Sequence, residues 1–378
     1  MLEAIRGLIA WTPMGLPAFL FVITLVVFFH ELGHFLVARY FGVKVDVFSV
    51  GFGKEIFGFN DKHGTRWKLS WLPIGGYVKF AGDADASSKP DSEAALRMTA
   101  EERAGALMFK PVGQRAAVAA AGPFANFFLA IVLLTGLYMY GGHVVIAPVV
   151  GQVTQGSPAA QAGIRPGDLV TRIDGTAIRD FQQLPEIISV SGGDTLAIGL
   201  KRAGQELTVQ VRPRLMKARD ALGNMGSQMV IGVRPDPKAP ITREHYSPLG
   251  ALQAACVESW NIVKTTILGI GQMITGHASA DQLRGPVGIA NMTRQVADFG
   301  FLPLLNLVAI LSVSIGLANL FPIPLLDGGH LLYYGVEAVL GRPLGERAQD
   351  VGFRLGLVLV LGLMLLTTWN DLVRLNLF

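Results

Sequence analysis

Cysteine is almost absent. Cys256 is the single cysteine among 378 residues, which excludes a disulfide-held scaffold. Charge is scarce too: charged residues make up 16% and hydrophobic residues 51%, whereas soluble domains carry about a quarter charged residues. So apolar a chain cannot be disordered. No internal repeat and no low-complexity tract is present. The formal net charge is only +4, and the basic residues are spread along loops instead of gathering on one element. That pattern points to membrane lipid and not to nucleic acid as the partner. With a mean hydropathy of +0.44, the chain reads as an integral membrane protein.

Four stretches are long and apolar enough to span a ~30 Å hydrocarbon core, which needs about 20 helical residues. They run from Leu16 to about Phe41, Ala116 to Tyr140, Phe301 to about Leu326, and about Val351 to Trp369. Trp11, Tyr138, Tyr140 and Trp369 mark span ends, where interfacial aromatics belong. Glu3 opposes Arg6 and no small-residue cleavage site follows the first run, so it reads as a retained helix and not a signal peptide. Lys and Arg cluster from Lys44 to Arg115 and recur at Arg342 and Arg347, whereas the other ends carry only Arg6 and Arg374. The positive-inside rule then places these two loops in the cytoplasm and both termini outside.

This gives a first helix over 1–41, a cytoplasmic membrane-associated β-hairpin loop over 42–114, and a second helix over 115–140. An extracytoplasmic folded domain follows over 141–235, then an amphipathic surface helix and linker over 236–300. The third span covers 301–329, a cytoplasmic connection 330–350, and the fourth span with an outer C-terminus 351–378. The domain at 141–235 is expected from short β-rich runs between Gly, Asp and Pro turns, with a polar loop at 214–228 and MVIGVRP as last strand. Ser157-Pro158 should start a short helix. Leu249–Ile274 carries Glu258, Asn261 and Lys264 and is read as lying on the surface, not as a fifth span. In the 42–114 loop, glycine-rich β-formers predict hairpins, a polar stretch covers Asp83–Glu93, and Thr99 with Glu102 predicts a capping box.

The chemistry concentrates in few residues. Span one contains His30-Glu31-Leu32-Gly33-His34. Histidines at i and i+4 share a helix face and can reach one metal, and Glu31 can reach a water bound there. Ionisable groups inside a span are costly and read as functional; a polar trio packed without metal would leave three groups needing partners. Catalytic zinc needs a third protein ligand. Asp327 is the acid associated with span three, after Pro322 and Pro324, which cannot continue a helix, and before two glycines expected to be flexible, Gly328-Gly329. The alternative is a turn aspartate at the membrane edge. Depth favours a ligand. From Leu16 to His30 is ~21 Å of helix in a ~30 Å core, so the motif falls in the cytoplasmic half, as do Asp327 and Gly122-Pro123-Phe124-Ala125-Asn126 of span two.

These motifs resemble the site-2 proteases, intramembrane zinc metalloproteases, and most closely the bacterial regulator-of-sigma-E protease branch. HELGH, KPVGQRAAVAAAGPFANF, GPVGIA at 285–290 and NLFPIPLLDGGH carry the resemblance, which covers nearly the whole chain. It implies that His30, His34 and Asp327 ligate one Zn2+ and that Glu31 is the catalytic acid/base. It further implies that SPAAQAGIRPGDLVTRIDG belongs to a PDZ domain, a single one in place of the tandem pair of the best-known members. The fold class is then a polytopic α-helical membrane protein of four transmembrane helices, with an inserted extracytoplasmic PDZ-like α/β domain and membrane-associated β-hairpins.

Asn319 is a candidate donor to the substrate backbone or oxyanion, with a helix–helix hydrogen bond as its rival role. Asn126 is a second candidate substrate contact. Gly51, Gly53, Gly75 and Gly76 mark strands that either pair with an unwound substrate or form a structural hairpin. His63, His143, His245 and His277 are expected to be solvated, His330 to play no ligand role, and Cys256 to make an apolar contact. The expected function is cleavage of single-span membrane proteins in a bacterial inner membrane, with trimmed anti-sigma factors or signal-peptide remnants as substrates by resemblance. The PDZ-like domain then filters substrates or captures a peptide C-terminus. A membrane-anchored PDZ scaffold with a non-catalytic metal site is the alternative. A metal transporter would need further liganding groups along a path, which spans two and four lack.

Overall fold

The structure is a computed structural model that describes residues 15–83, 96–219 and 225–374. Glu3, Arg6 and Trp11, residues 84–93 of the polar stretch, and 220–224 of the expected loop lie outside the described residues. Four of the described helices are long and apolar enough to cross a membrane: α1 (Gly15–Tyr40), α3 (Val112–Gly141), α8 (Phe301–Asn319) and α10 (Glu346–Arg374). Their most apolar stretches reach mean hydropathies of 2.0 to 2.2, as an integral membrane protein requires.

The chain divides into two compact units. One comprises residues 1–134 and 286–369, the other 135–285 and 370–378. In the first, α1, α3 and α8 meet through Val22, Val26, Leu129, Leu307, Val308 and Leu311. Ser312 Oγ of α8 donates to the Asn126 carbonyl of α3 at 2.9 Å. Such a cross-link tightens helices in lipid, where apolar burial alone drives little association.

A long antiparallel hairpin of β1 (Val45–Asn60) and β2 (Arg66–Phe80) leans on α1. Its base buries Val45, Phe48, Val78 and Phe80 against Phe35 and Ala38 of α1. Its far half leaves Phe52, Ile56, Phe57, Trp71 and Leu72 exposed. The short helix α2 (Ala100–Gly105) follows with the expected Thr99–Glu102 capping box. After Asn319 the helix stops, and residues 320–326 run irregularly through Pro322 and Pro324, since neither proline can donate to an α-helical ladder. Two helices go beyond the sequence reading: α7 (Pro286–Ala297), which carries most of GPVGIA, and α9 (Asp327–Leu340), inside the expected connection.

The second unit holds a four-stranded antiparallel sheet in the order β6-β5-β7-β8 (Thr176–Ala177, Leu169–Ile173, Leu196–Arg202, Gln205–Val211). Helices α4 (Pro158–Gln161) and α5 (Gln183–Ser189) accompany it. Its core includes Val150, Val170, Ile173, Leu184, Ile198, Leu200 and Ile231. Ser157 caps α4, its side chain accepting from the Ala160 N–H. The short strands β3 (His143–Ile146) and β4 (Val150–Val153) pair with β12 (Ile241–Glu244) and β11 (Val233–Pro235). The polar loop expected at 214–228 is instead largely a hairpin, β9 (Arg214–Arg219) with β10 (Met225–Val230); apolar Leu215 and Met229 sit opposite each other in its register. Helix α6 (Pro248–Ile274) spans the expected amphipathic segment.

Three minor expectations are corrected. Cys256 is exposed on α6, because Ala251, Ala255 and Ser259 occupy its buried face. His143 is no solvated loop residue: it opens β3, partly buried, with its ring 5.5 Å from Tyr138 and 6.5 Å from Tyr246. Gly328 and Gly329 are buried in the first turn of α9 and do not form a loose turn. A Cβ on either would strike the backbone of residues 320–324, so these positions are small because the turn packs on the helix start.

Candidate metal centre and active site

Helix α1 brings His30, Glu31 and His34 onto neighbouring turns. Close approach of α3 sets where they point. At Gly33 a Cβ would fall on the Ala121 carbonyl, and at Gly122 one would fall on His34 Nε2. The two glycines therefore let the helices nearly touch and leave space for the imidazole. His34 Nδ1 donates to the Val118 carbonyl at 2.8 Å. Since a carbonyl only accepts, Nε2 keeps its lone pair. It lies 3.2 Å from His30 Nε2.

Asp327, the first residue of α9, completes the cluster. Its Oδ2 is 3.2 Å from His30 Nε2 and its Oδ1 3.4 Å from His34 Nε2. One donor atom from each of the three lies within 4.8 Å of the others. The preceding Leu325 has φ 106°, a strained backbone for a residue with a Cβ. That strain and the seating of Gly328 and Gly329 carry the chain from the end of α8 to a carboxylate facing two imidazoles.

A cavity of about 200 Å3 opens on this cluster. His30, Glu31, His34, Asn319 and Asp327 line it, together with Gly76, Tyr77, Val78 and Phe80 of β2. The Val78 backbone hydrogen-bonds the Glu31 carboxylate, so the hairpin also positions the candidate base. β1 and β2 form a two-stranded sheet, and β2 borders the cavity.

Not every expected residue is here. Asn126 is fully buried (0% exposed) and its amide faces His30 Nδ1, so it is not placed for substrate. Gly51, Gly53 and Gly75 are not cavity residues; a Cβ on Gly51 would lie 2.7 Å from the Leu72 carbonyl, so it serves the crossing of β1 over β2. Sequence reasoning set His330 aside and missed Arg115 and Tyr334, which all line the cavity. The Arg115 guanidinium pairs with Glu337 and stands 4.9 Å over the Tyr334 ring. A signal existed: Asp327, His330 and Tyr334 share a face of a helix that starts at Asp327.

Comparison with known families places this geometry. The model of peptidase family M50 matches residues 18–363. The chain is a member of peptidase family M50, the site-2 protease family. It is 47% identical over 359 residues to a Mesorhizobium japonicum protein provisionally named a zinc metalloprotease, covering 94% of this chain and 98% of the relative. A likewise provisionally named zinc metalloprotease of Agrobacterium fabrum is 44% identical, with 94% of both chains covered. The metalloprotease MmpA of Caulobacter vibrioides is 38% identical, with 96% of both covered. Among solved structures, the PDZ domain of an SdrC-like protein from Listeria monocytogenes is similar to 23% of this chain and 84% of its own, at 30% identity and a TM-score of 0.19.

This M50 peptidase is thus a zinc metalloprotease, and the residues present fit the ion. Two imidazole nitrogens and a carboxylate converge, and buried Asp327 Oδ2 has no hydrogen-bond partner. A carboxylate oxygen so placed needs a cation.

Proposed function

We propose that this chain is an intramembrane zinc endopeptidase that cuts transmembrane helices of single-span proteins. The observation carrying this reading is the position of the donor cluster: His30 and His34 stand within an apolar helix long enough to span a membrane, facing Asp327. His30, His34 and Asp327 hold the zinc. When bound there, zinc supplies a Lewis acid and lowers the pKa of a water toward ~7.

Glu31 accepts the proton of the attacking water and returns it to the leaving amine. Asn319, on the cavity wall, donates to the developing oxyanion. A transmembrane substrate has its backbone hydrogen bonds closed within its helix, so the segment to be cut must unwind. The β2 edge at Gly76–Val78 pairs with it by strand addition, which holds the scissile bond beside Glu31.

The wider setting follows the resemblance: a bacterial inner membrane, cytoplasmic loops at 42–114 and 330–350, and an extracytoplasmic PDZ-like region inserted between spans two and three. That insertion filters out substrates with bulky outer domains, leaving trimmed anti-sigma factors or signal-peptide remnants; capture of a peptide C-terminus is its rival role. The test is Glu31→Gln on a model single-span substrate in liposomes, offered in trimmed and untrimmed forms. The variant should keep its zinc and lose cleavage, while wild type cuts the trimmed form in preference. Turnover near wild type in the variant rules out Glu31 as the base.

A further inference from the structure

Helix α3 supplies an outer partner to each imidazole of the cluster, and the two partners differ in kind. His34 Nδ1 donates to the Val118 carbonyl at 2.8 Å. That acceptor is backbone and fixes one tautomer. His30 Nδ1 instead lies 3.4 Å from Asn126 Nδ2, a side chain. Asn126 is fully buried, and its Oδ1 is also buried with no hydrogen-bond partner.

An amide presents either its oxygen or its NH2 to a neighbour after a half-turn of its terminal torsion. With Nδ2 toward the ring, Nδ1 of His30 is the acceptor, and the ring proton sits on Nε2, which donates to the lone pair of His34 Nε2 3.2 Å away. A cation at the cluster needs the lone pair of His30 Nε2. The ring proton must then move to Nδ1, where it requires an acceptor. The unpartnered Oδ1 of Asn126 becomes that acceptor through the half-turn.

We infer that Asn126 is the positioning residue for His30, turning its amide to match the tautomer in use and accepting from Nδ1 when the centre is loaded. The inference rests on the reading of His30 as a zinc ligand. It gives the asparagine of the GPFAN segment a role that touches neither substrate nor metal. A mere packing role, filling the space between α1, α3 and α8, would depend on shape and not on acceptor chemistry.

The experiment measures zinc affinity by chelator competition on the full-length, detergent-solubilised protein. Wild type is compared with His30→Ala, Asn126→Ala, Asn126→Leu and Asn126→Asp. His30→Ala should lose the site. Asn126→Ala and Asn126→Leu should weaken zinc binding about 10- to 100-fold, the usual effect of losing an outer partner of a ligand histidine. Asn126→Asp should match or exceed wild type, because a carboxylate accepts in either rotation. If the alanine variant does not fold, leucine, close to asparagine in shape but without an acceptor, decides against aspartate. Wild-type affinity in the alanine or leucine variants beside a zinc-free His30→Ala overturns the inference. So does an aspartate variant as weak as alanine. Full zinc in His30→Ala sinks the ligand reading itself, and the inference with it.

Discussion

Each unit of the molecule contains an aspartate with a buried carboxylate oxygen beside nitrogen donors, and the two are treated in opposite ways. Asp168 in the second unit is 0% exposed. Arg202 donates to both its oxygens at 2.7 Å, and the Arg165 N–H donates to Oδ2 at 2.8 Å. Nothing more is needed there. Asp327 in the first unit faces two imidazoles at 3.2 and 3.4 Å, yet Oδ2 has no hydrogen-bond partner. A carboxylate built for structure closes its own hydrogen bonds; one built for chemistry is left with a requirement that a cation meets.

Removing Asp327 should break that contrast most completely. Asp327→Ala takes away one of three ligands, and two histidines alone hold zinc poorly. Zinc affinity, read by chelator competition, should fall by more than the ~10- to 100-fold that loss of an outer partner costs, and cleavage should vanish. Substituting Asp168 should leave zinc untouched. Full occupancy in Asp327→Ala would mean that the third ligand lies elsewhere.

Gly122→Ala is the next largest perturbation. Its new Cβ would fall on His34 Nε2, while the Val118 carbonyl tethers the other side of the ring. The imidazole must shift, and displacement on the order of 1 Å at a catalytic centre can cost ~100-fold. Cleavage of a model substrate should drop by about that factor. Gly136→Ala in the same helix meets open space and should be neutral or gain slightly from helix propensity. Equal losses in both variants would show that α3 is sensitive to any added methyl, and that the contact with His34 is not special.

Much of this centre was legible in the sequence, and the reasons are particular. His30 and His34 share a helix face by spacing alone, and Asp327 stood out as an acid after an apolar run. Their convergence could be inferred because helical rise converts sequence position into depth. The hairpin was expected near the membrane, yet periodicity does not tell which parts of its two strands, 16 and 15 residues long, border the helix; Gly76 of β2 does, whereas Gly51 and Gly53 of β1 do not. Gly328-Gly329 read as flexible because glycine permits both loose and tightly packed backbones. That reading hid α9, and with it the common face of Asp327, His330 and Tyr334. Asn126 was picked out by residue type, but its contact with His30 depends on an interhelical approach that no single helix encodes.

The smallest expected effect sharpens the comparison from the structural side. Burial alone would raise the Asp168 pKa, but the Arg202 hydrogen bonds and the Arg165 N–H outweigh it and hold the carboxyl below the usual carboxylate range. A group whose folded pKa lies below its unfolded value of ~3.9 stabilises the fold above that value, and the contribution is lost as pH falls through the folded value. Asp168→Asn should therefore destabilise the second unit at neutral pH by about 1.5 kcal/mol, the low end for a hydrogen bond to a charged group, because the Arg202 left behind keeps access to solvent. Hydrogen exchange of β5 and β7 amides in the full chain reads this directly. The gap between wild type and variant should narrow below pH ~4, as protonation of wild-type Asp168 removes the same charge. Zinc affinity at neutral pH should not move. A gap that persists at low pH would assign the loss to packing, and Asp168 would then stabilise through shape and not through its charge.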